Sequence, residues 1–128
     1  MAKAKVVINE QHSLLPEQEA ILNSQFGEGN WELLKVPSQG WNLEEQREIE
    51  AKLLGECEVV FASPVPVLMG LLIANTAYDN GYGDASGLGR PRKDIFVFHN
   101  DNRDKKELPN GKIIFTVAKE GWQLVKLT

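Results

Sequence analysis

The chain has 128 residues, 42% of them hydrophobic and 25% charged, which is the composition of a globular domain able to bury a core without disulfide or metal staples. Its formal charge of −4 divides unevenly: residues 1–65 carry 5 Lys/Arg against 11 Asp/Glu, and residues 66–128 carry 9 against 7. An acidic whole excludes wrapping of a long nucleic acid, where many phosphates must be neutralised together, yet it leaves room for a small anion beside a local basic patch.

The first predicted element is Lys5-Val-Val-Ile-Asn9, a β-branched run closed by polar residues, which reads as a buried strand. A helix from Ser13 or Leu14 follows, with Pro16 in its first turn, Leu15, Leu22 and Phe26 as its apolar stripe, and Gly27 and Gly29 as its stop. Trp31–Val36 reads as a second strand, ended by Pro37 and a loop through Ser38, Gln39 and Trp41. Asn42–Leu54 reads as a second helix, with Glu44 and Glu45 placed to favour the positive end of its dipole. Glu58–Ala62 is a third strand, and Ser63-Pro-Val-Pro66 leads into an apolar helix over Val67–Tyr78. Three β–α units in succession predict a single α/β domain over residues 1–128: a Rossmann-like three-layer fold on a mainly parallel sheet.

Residues 79–93 are Gly-rich and read as a lid or a crossover; their glycine pairs follow a helix, so they are not a nucleotide fingerprint. Asp94–Phe98 resumes as a strand. The charged run Asn100–Glu107 reads either as a solvated turn or as a phosphate contact through Arg103 and Lys106. Lys112–Val117 and Trp122–Lys126 read as a C-terminal antiparallel hairpin turned at Lys119–Gly121, with Asn110-Gly111 as an earlier turn signal. The last strand is expected antiparallel at an edge.

No apolar run is long enough to cross a bilayer, the N-terminus has no signal-peptide core, and Cys57 is the only cysteine, so a reduced cytoplasmic setting is expected. The spacings of a zinc site are missing, and neither a metal nor a cofactor is expected. The apolar third helix marks a dimer face.

In open parallel sheets ligands bind beyond the carboxyl ends of the strands, where the strand order reverses. That rule collects Asn9, Glu10, Gln11 and His12 after the first strand, Ser38, Gln39, Gly40 and Trp41 after the second, Ser63 after the third, and His99 and Asn100 after the fourth. Each histidine serves either as an acid–base group or as a backbone cap. Ser63 serves either as a helix cap or as a phosphate donor.

The segment Val7-Ile-Asn-Glu-Gln-His-Ser-Leu-Leu-Pro-Glu-Gln18 resembles the opening of small CRISPR-associated proteins of type III systems, in the Rossmann-like families grouped with ring nucleases. The likeness covers the first 20 residues and the order of elements through Ala74. It implies a homodimer that binds a cyclic oligoadenylate messenger, cyclic tetra-adenylate favoured, in a pocket on or near its two-fold axis, sequestering it in antiviral signalling. Ring cleavage is the alternative it implies, with His12 matching the early histidine of the family. A small dimeric interaction module without a nucleotide ligand is the reading that owes nothing to the resemblance.

Overall fold

A computed structural model describes residues 3–53, 57–77 and 94–128. The Gly-rich segment 79–93 lies outside the described residues, as do the helix ends expected at Leu54 and Tyr78. Strand β1 (Ala4–Asn9) is followed by helix α1 (Pro16–Phe26), β2 (Trp31–Val36), α2 (Leu43–Leu53), β3 (Glu58–Phe61) and α3 (Pro66–Ala77). Four further strands follow: β4 (Ile95–His99), β5 (Arg103–Glu107), β6 (Ile113–Val117) and β7 (Gln123–Lys126). The main sheet has the order β2-β1-β3-β4-β7, parallel except for β7, which runs antiparallel on β4 at the edge. The α/β reading, with its mostly parallel sheet and antiparallel edge strand, therefore holds, and the strand order is that of a doubly wound, Rossmann-like sheet.

β1 lies between β2 and β3, and its Ala4, Val6, Val7 and Ile8 are all buried, which is why it reads as an unbroken apolar run rather than an alternating one. Alternate side chains feed two cores. On one face Val6, Val60, Phe96 and Phe98 meet Leu22 and Phe26 of α1, with Phe26 and Phe96 edge to face at 5.7 Å. On the other face Val7, Val59, Phe61 and Ile95 pack with Leu53 of α2 and with Leu68 and Leu72 of α3.

Helix ends are set by local chemistry. Pro16 occupies the first turn of α1, where a missing N–H costs nothing, and Gln18 Oε1 reaches back to accept the Leu15 N–H at 2.9 Å. Asn42 and Glu45 form a reciprocal capping box at the start of α2, the Glu45 N–H donating to Asn42 Oδ1 at 2.8 Å and the Asn42 N–H to Glu45 Oε1 at 3.2 Å. At α3 the acceptor comes from a neighbouring helix: Gln46 Oε1 takes the Leu68 N–H at 2.9 Å. The Ser63 hydroxyl accepts the Asn9 N–H of β1 at 2.9 Å and is not the acceptor for that helix start.

The C-terminal hairpin is built from other strands than expected. β6 does not pair with β7; it turns back through Asn110-Gly111 onto β5, and the Gly111 φ of +83° supplies the left-handed turn residue. The shorter closure joins Arg103–Glu107 to Ile113–Val117, so the run read as a solvated turn is a strand. All five of its residues are exposed, as are Ile113, Phe115 and Val117 on β6. β7 is free to pair with β4, where Leu124 joins the α1-side core.

Candidate functional site at the β1/β3 switch point

The crossover through α1 carries the chain from β1 to β2 on one side, and the next crossover carries it to β3 on the other. The strand order therefore reverses between β1 and β3, and the loops there part. The turn after β1 is locally determined. Asn9 Oδ1 accepts the Gln11 N–H at 2.9 Å and the Asn9 carbonyl accepts the His12 N–H at 2.9 Å, an Asx turn that sends residues 11–13 over the sheet end.

Hydrogen bonds tie this turn to its neighbours. The Asn9 N–H donates to the buried Ser63 Oγ at 2.9 Å, and the Ser63 N–H donates to the Val7 carbonyl at 3.1 Å. Glu10 Oε1 accepts the Ser38 N–H at 2.7 Å, joining the loops after β1 and β2.

On the α1 side of the switch point lies a cavity of about 400 Å³, lined by Ile8, Gln11, His12, Ser13, Leu15, Gln18, Ala62 and Trp122. Half of its wall is apolar. The rest offers two amides, a hydroxyl and an imidazole, and no lysine or arginine is among its lining residues. Trp122 reaches it from the connection before β7. Its ring stands edge to face with Phe98 at 6.2 Å, and its indole N–H is buried without a hydrogen-bond acceptor. Such a group carries a desolvation cost that an acceptor would relieve.

The residues expected in one pocket divide between several places. Gln11 and His12 line the cavity, while Asn9 stands next to it on β1, tied to Ser63. Ser38 contacts the turn only through its backbone, Gln39 is exposed beyond β2, and Trp41 packs into the core shared by α2 and α3.

His99 belongs with Val97 on the α2/α3 face by strand alternation, opposite the cavity, and its Nε2 meets Asp101 Oδ1 at 2.5 Å in an exposed pair.

Asn100 is buried and fully used. Its Nδ2 donates to the Ala118 carbonyl at 3.1 Å and the Glu120 carbonyl at 2.9 Å, and its Oδ1 accepts the Asn102 N–H at 2.8 Å. Arg103 Nη1 donates to the carbonyls of Asn100 at 2.6 Å and Asn102 at 2.9 Å. Lys106 pairs with Ile114, whereas Arg103 pairs with Val117, so alternation sends the two basic side chains to opposite faces of the β5–β6 ribbon. They do not form one phosphate clamp. A second open cavity, of about 470 Å³, lies at the root of this ribbon between Asn102, Arg103, Asp104, Ala118, Lys119 and Glu120.

Sequence reasoning missed Ile8, Ser13, Leu15, Gln18, Ala62 and Trp122 as cavity residues. Gln18 and Leu15 sit in what looked like an ordinary helix start, and Trp122 reaches α1 only through tertiary folding. Among the described residues no cluster of three or more His, Cys, Asp or Glu is placed to hold a metal ion.

The fold and this crevice define a doubly wound α/β protein with a cavity at its switch point. Comparison with known proteins takes the matter no further: no family model, no curated protein and no solved structure matches the chain.

Proposed function

We propose that the chain binds a nucleotide through its base in the cavity beside β1, and that the ligand is a cyclic oligoadenylate, cyclic tetra-adenylate favoured, held as a sequestered messenger of type III CRISPR antiviral signalling. The observation that carries the reading is the cavity itself, which brings the indole of Trp122 together with the side chains of Gln11, Gln18, His12 and Ser13. A base stacked on an aromatic side chain gains about 1–3 kcal/mol, and amides read the edges of an adenine.

At about 400 Å³ the cavity has room for one nucleoside unit rather than a four-membered ring. A homodimer would offer two such cavities to a two-fold ring, leaving the phosphates to side chains outside them. The segment Val7–Gln18, on which the resemblance rests, supplies most of the lining residues.

Binding without cleavage is the reading the cavity favours. His12 is the one titratable residue lining it, and in-line attack by a ribose 2′-hydroxyl needs a charge-stabilising donor as well as a base. Of the two residues expected to supply that charge, Arg103 and Lys106, Arg103 has its Nη1 committed to two carbonyls in the ribbon and Lys106 lies on the ribbon's other face; neither lines the cavity. Among the described residues no helix is long and apolar enough to cross a membrane. A cytoplasmic location belongs to the proposal, because the messenger acts there.

Calorimetry and thermal shift with cyclic tetra-adenylate test the proposal, with linear tetra-adenylate and a cyclic dinucleotide as controls. Ligand at a hundred times its dissociation constant raises stability by about 2.7 kcal/mol. Trp122→Leu and His12→Ala are expected to weaken binding, and labelled ring is expected to stay intact. Absence of heat and shift at millimolar ligand overturns the proposal, and accumulation of linear product converts it to the ring-nuclease reading.

A further inference from the structure

The geometry points to Glu17 as a positioning residue: its carboxylate holds Trp122 in place as the wall of the β1/β3 cavity. Glu17 lies in the first turn of α1, where a carboxylate is already favoured by the free N–H groups of the helix end. Its Oε1 nonetheless reaches across to another part of the chain, accepting the Gly121 N–H at 2.8 Å and the Trp122 N–H at 2.6 Å. Two successive amides converging on one oxygen form an anion-binding concavity, which the protein fills with its own side chain.

The concavity needs its glycine. Gly121 has a φ of +92°, a left-handed conformation that lets its N–H and that of Trp122 face the same way, and a Cβ at this position would collide with the Asn102 side chain.

The segment is braced by a second side chain as well, since Asn100 Nδ2 donates to the carbonyls of Ala118 and Glu120. Acceptors and donors of residues 118–122 are thus held by two side chains, one from α1 and one from the end of β4. Trp122 carries the consequence. Its indole stands edge to face with Phe98 and lines the cavity together with Gln18 of α1, with its N–H buried and still lacking an acceptor. A ring placed by packing alone would be free to turn that N–H toward water. The clamp keeps the wall formed before any ligand arrives, which lowers the ordering cost of binding.

The inference rests on the proposed binding cavity for its functional meaning, while its structural content can be tested without a ligand. The full-length chain is labelled at its tryptophans with ¹⁹F or ¹⁵N, and the Trp122 indole resonance is assigned by its loss in Trp122→Leu. In Glu17→Gln, which keeps size and one acceptor, this resonance is expected to move and sharpen while those of Trp31 and Trp41 stay.

Affinity for cyclic tetra-adenylate is expected to fall about tenfold in Glu17→Gln, the effect of turning the two charge-assisted hydrogen bonds on one oxygen into neutral ones. The double variant with Trp122→Leu should lose no more than Trp122→Leu alone, because both changes act through one ring. A Trp122 resonance unchanged in Glu17→Gln overturns the inference, and so do additive losses of affinity. If the wild-type chain fails to bind the ring, the proposed function falls, and the indole resonance still decides whether Glu17 positions Trp122.

Discussion

Replacement of Asn100 by alanine is the most direct test of how the β5–β6 ribbon is joined to the domain. Asn100 is 4% exposed and makes three hydrogen bonds with its side chain, to the carbonyls of Ala118 and Glu120 and from the N–H of Asn102. Each such neutral bond contributes about 1 kcal/mol net, and the groups left behind lie where water enters poorly. The loss from Asn100→Ala is therefore about 3 kcal/mol, out of the roughly 5–15 kcal/mol that holds a domain of this size together. In urea, with a slope of about 2 kcal/mol per molar, the midpoint falls by about 1.5 M.

Asn100→Asp sharpens the test. It keeps the acceptor for Asn102 but sets a carboxylate against two carbonyl oxygens, so at neutral pH it should be at least as damaging as alanine, and acidification that protonates the carboxyl should relieve it. A urea midpoint for Asn100→Ala within about 0.3 M of wild type would refute the assignment of this side chain as a structural brace.

Substitutions at four further positions have defined outcomes. Leu22→Ala removes a fully buried side chain between α1 and the sheet and should cost about 3 kcal/mol by denaturant titration. Asn42→Ala breaks the capping box of α2 and should cost about 1 kcal/mol, while Asn42→Asp should retain most of it. His99→Ala removes an exposed pair on the face opposite the cavity, so thermal midpoint and affinity for cyclic tetra-adenylate should both match wild type. His12→Ala should weaken binding with the midpoint unchanged; a loss of affinity in His99→Ala equal to that in His12→Ala would show that His99 reaches the ligand, and no loss in either would remove His12 from the site.

Much of the α/β core was legible because burial on both faces writes itself into composition. Val6-Val-Ile8 and Val59-Val-Phe61 are continuous apolar runs, and α1 and α2 carry their own start signals at Pro16 and Asn42. The β5 strand was hidden because Arg103-Asp-Lys-Lys-Glu107 has no apolar alternation; its extended state comes from pairing with β6 and not from its own residues. The choice of partner for β6 was ambiguous because Asn110-Gly111 and Lys119-Glu-Gly121 both look like turns, and only the slot beside β4 decides between them.

At the site, the strand-end rule found Gln11 and His12 but placed His99 with them. A strand buried on both faces does not reveal which layer its next side chain will meet. The side chains that complete the cavity, Gln18 and Trp122, are brought together by folding, and no local pattern relates them.

The bonds from Glu17 to Gly121 and Trp122 span 104 and 105 positions of the chain. Loops of that length close late, and the segment that closes this one leads directly into β7, the last strand to be synthesised among the described elements. During translation β1, α1, β2, α2 and β3 can pair and pack while the cavity still lacks its indole wall. A ligand that needs Trp122 will therefore recognise only chains in which β7 has docked, and it will report on completion of the fold as well as occupying a site. Nascent or C-terminally trimmed chains would leave the ligand in solution.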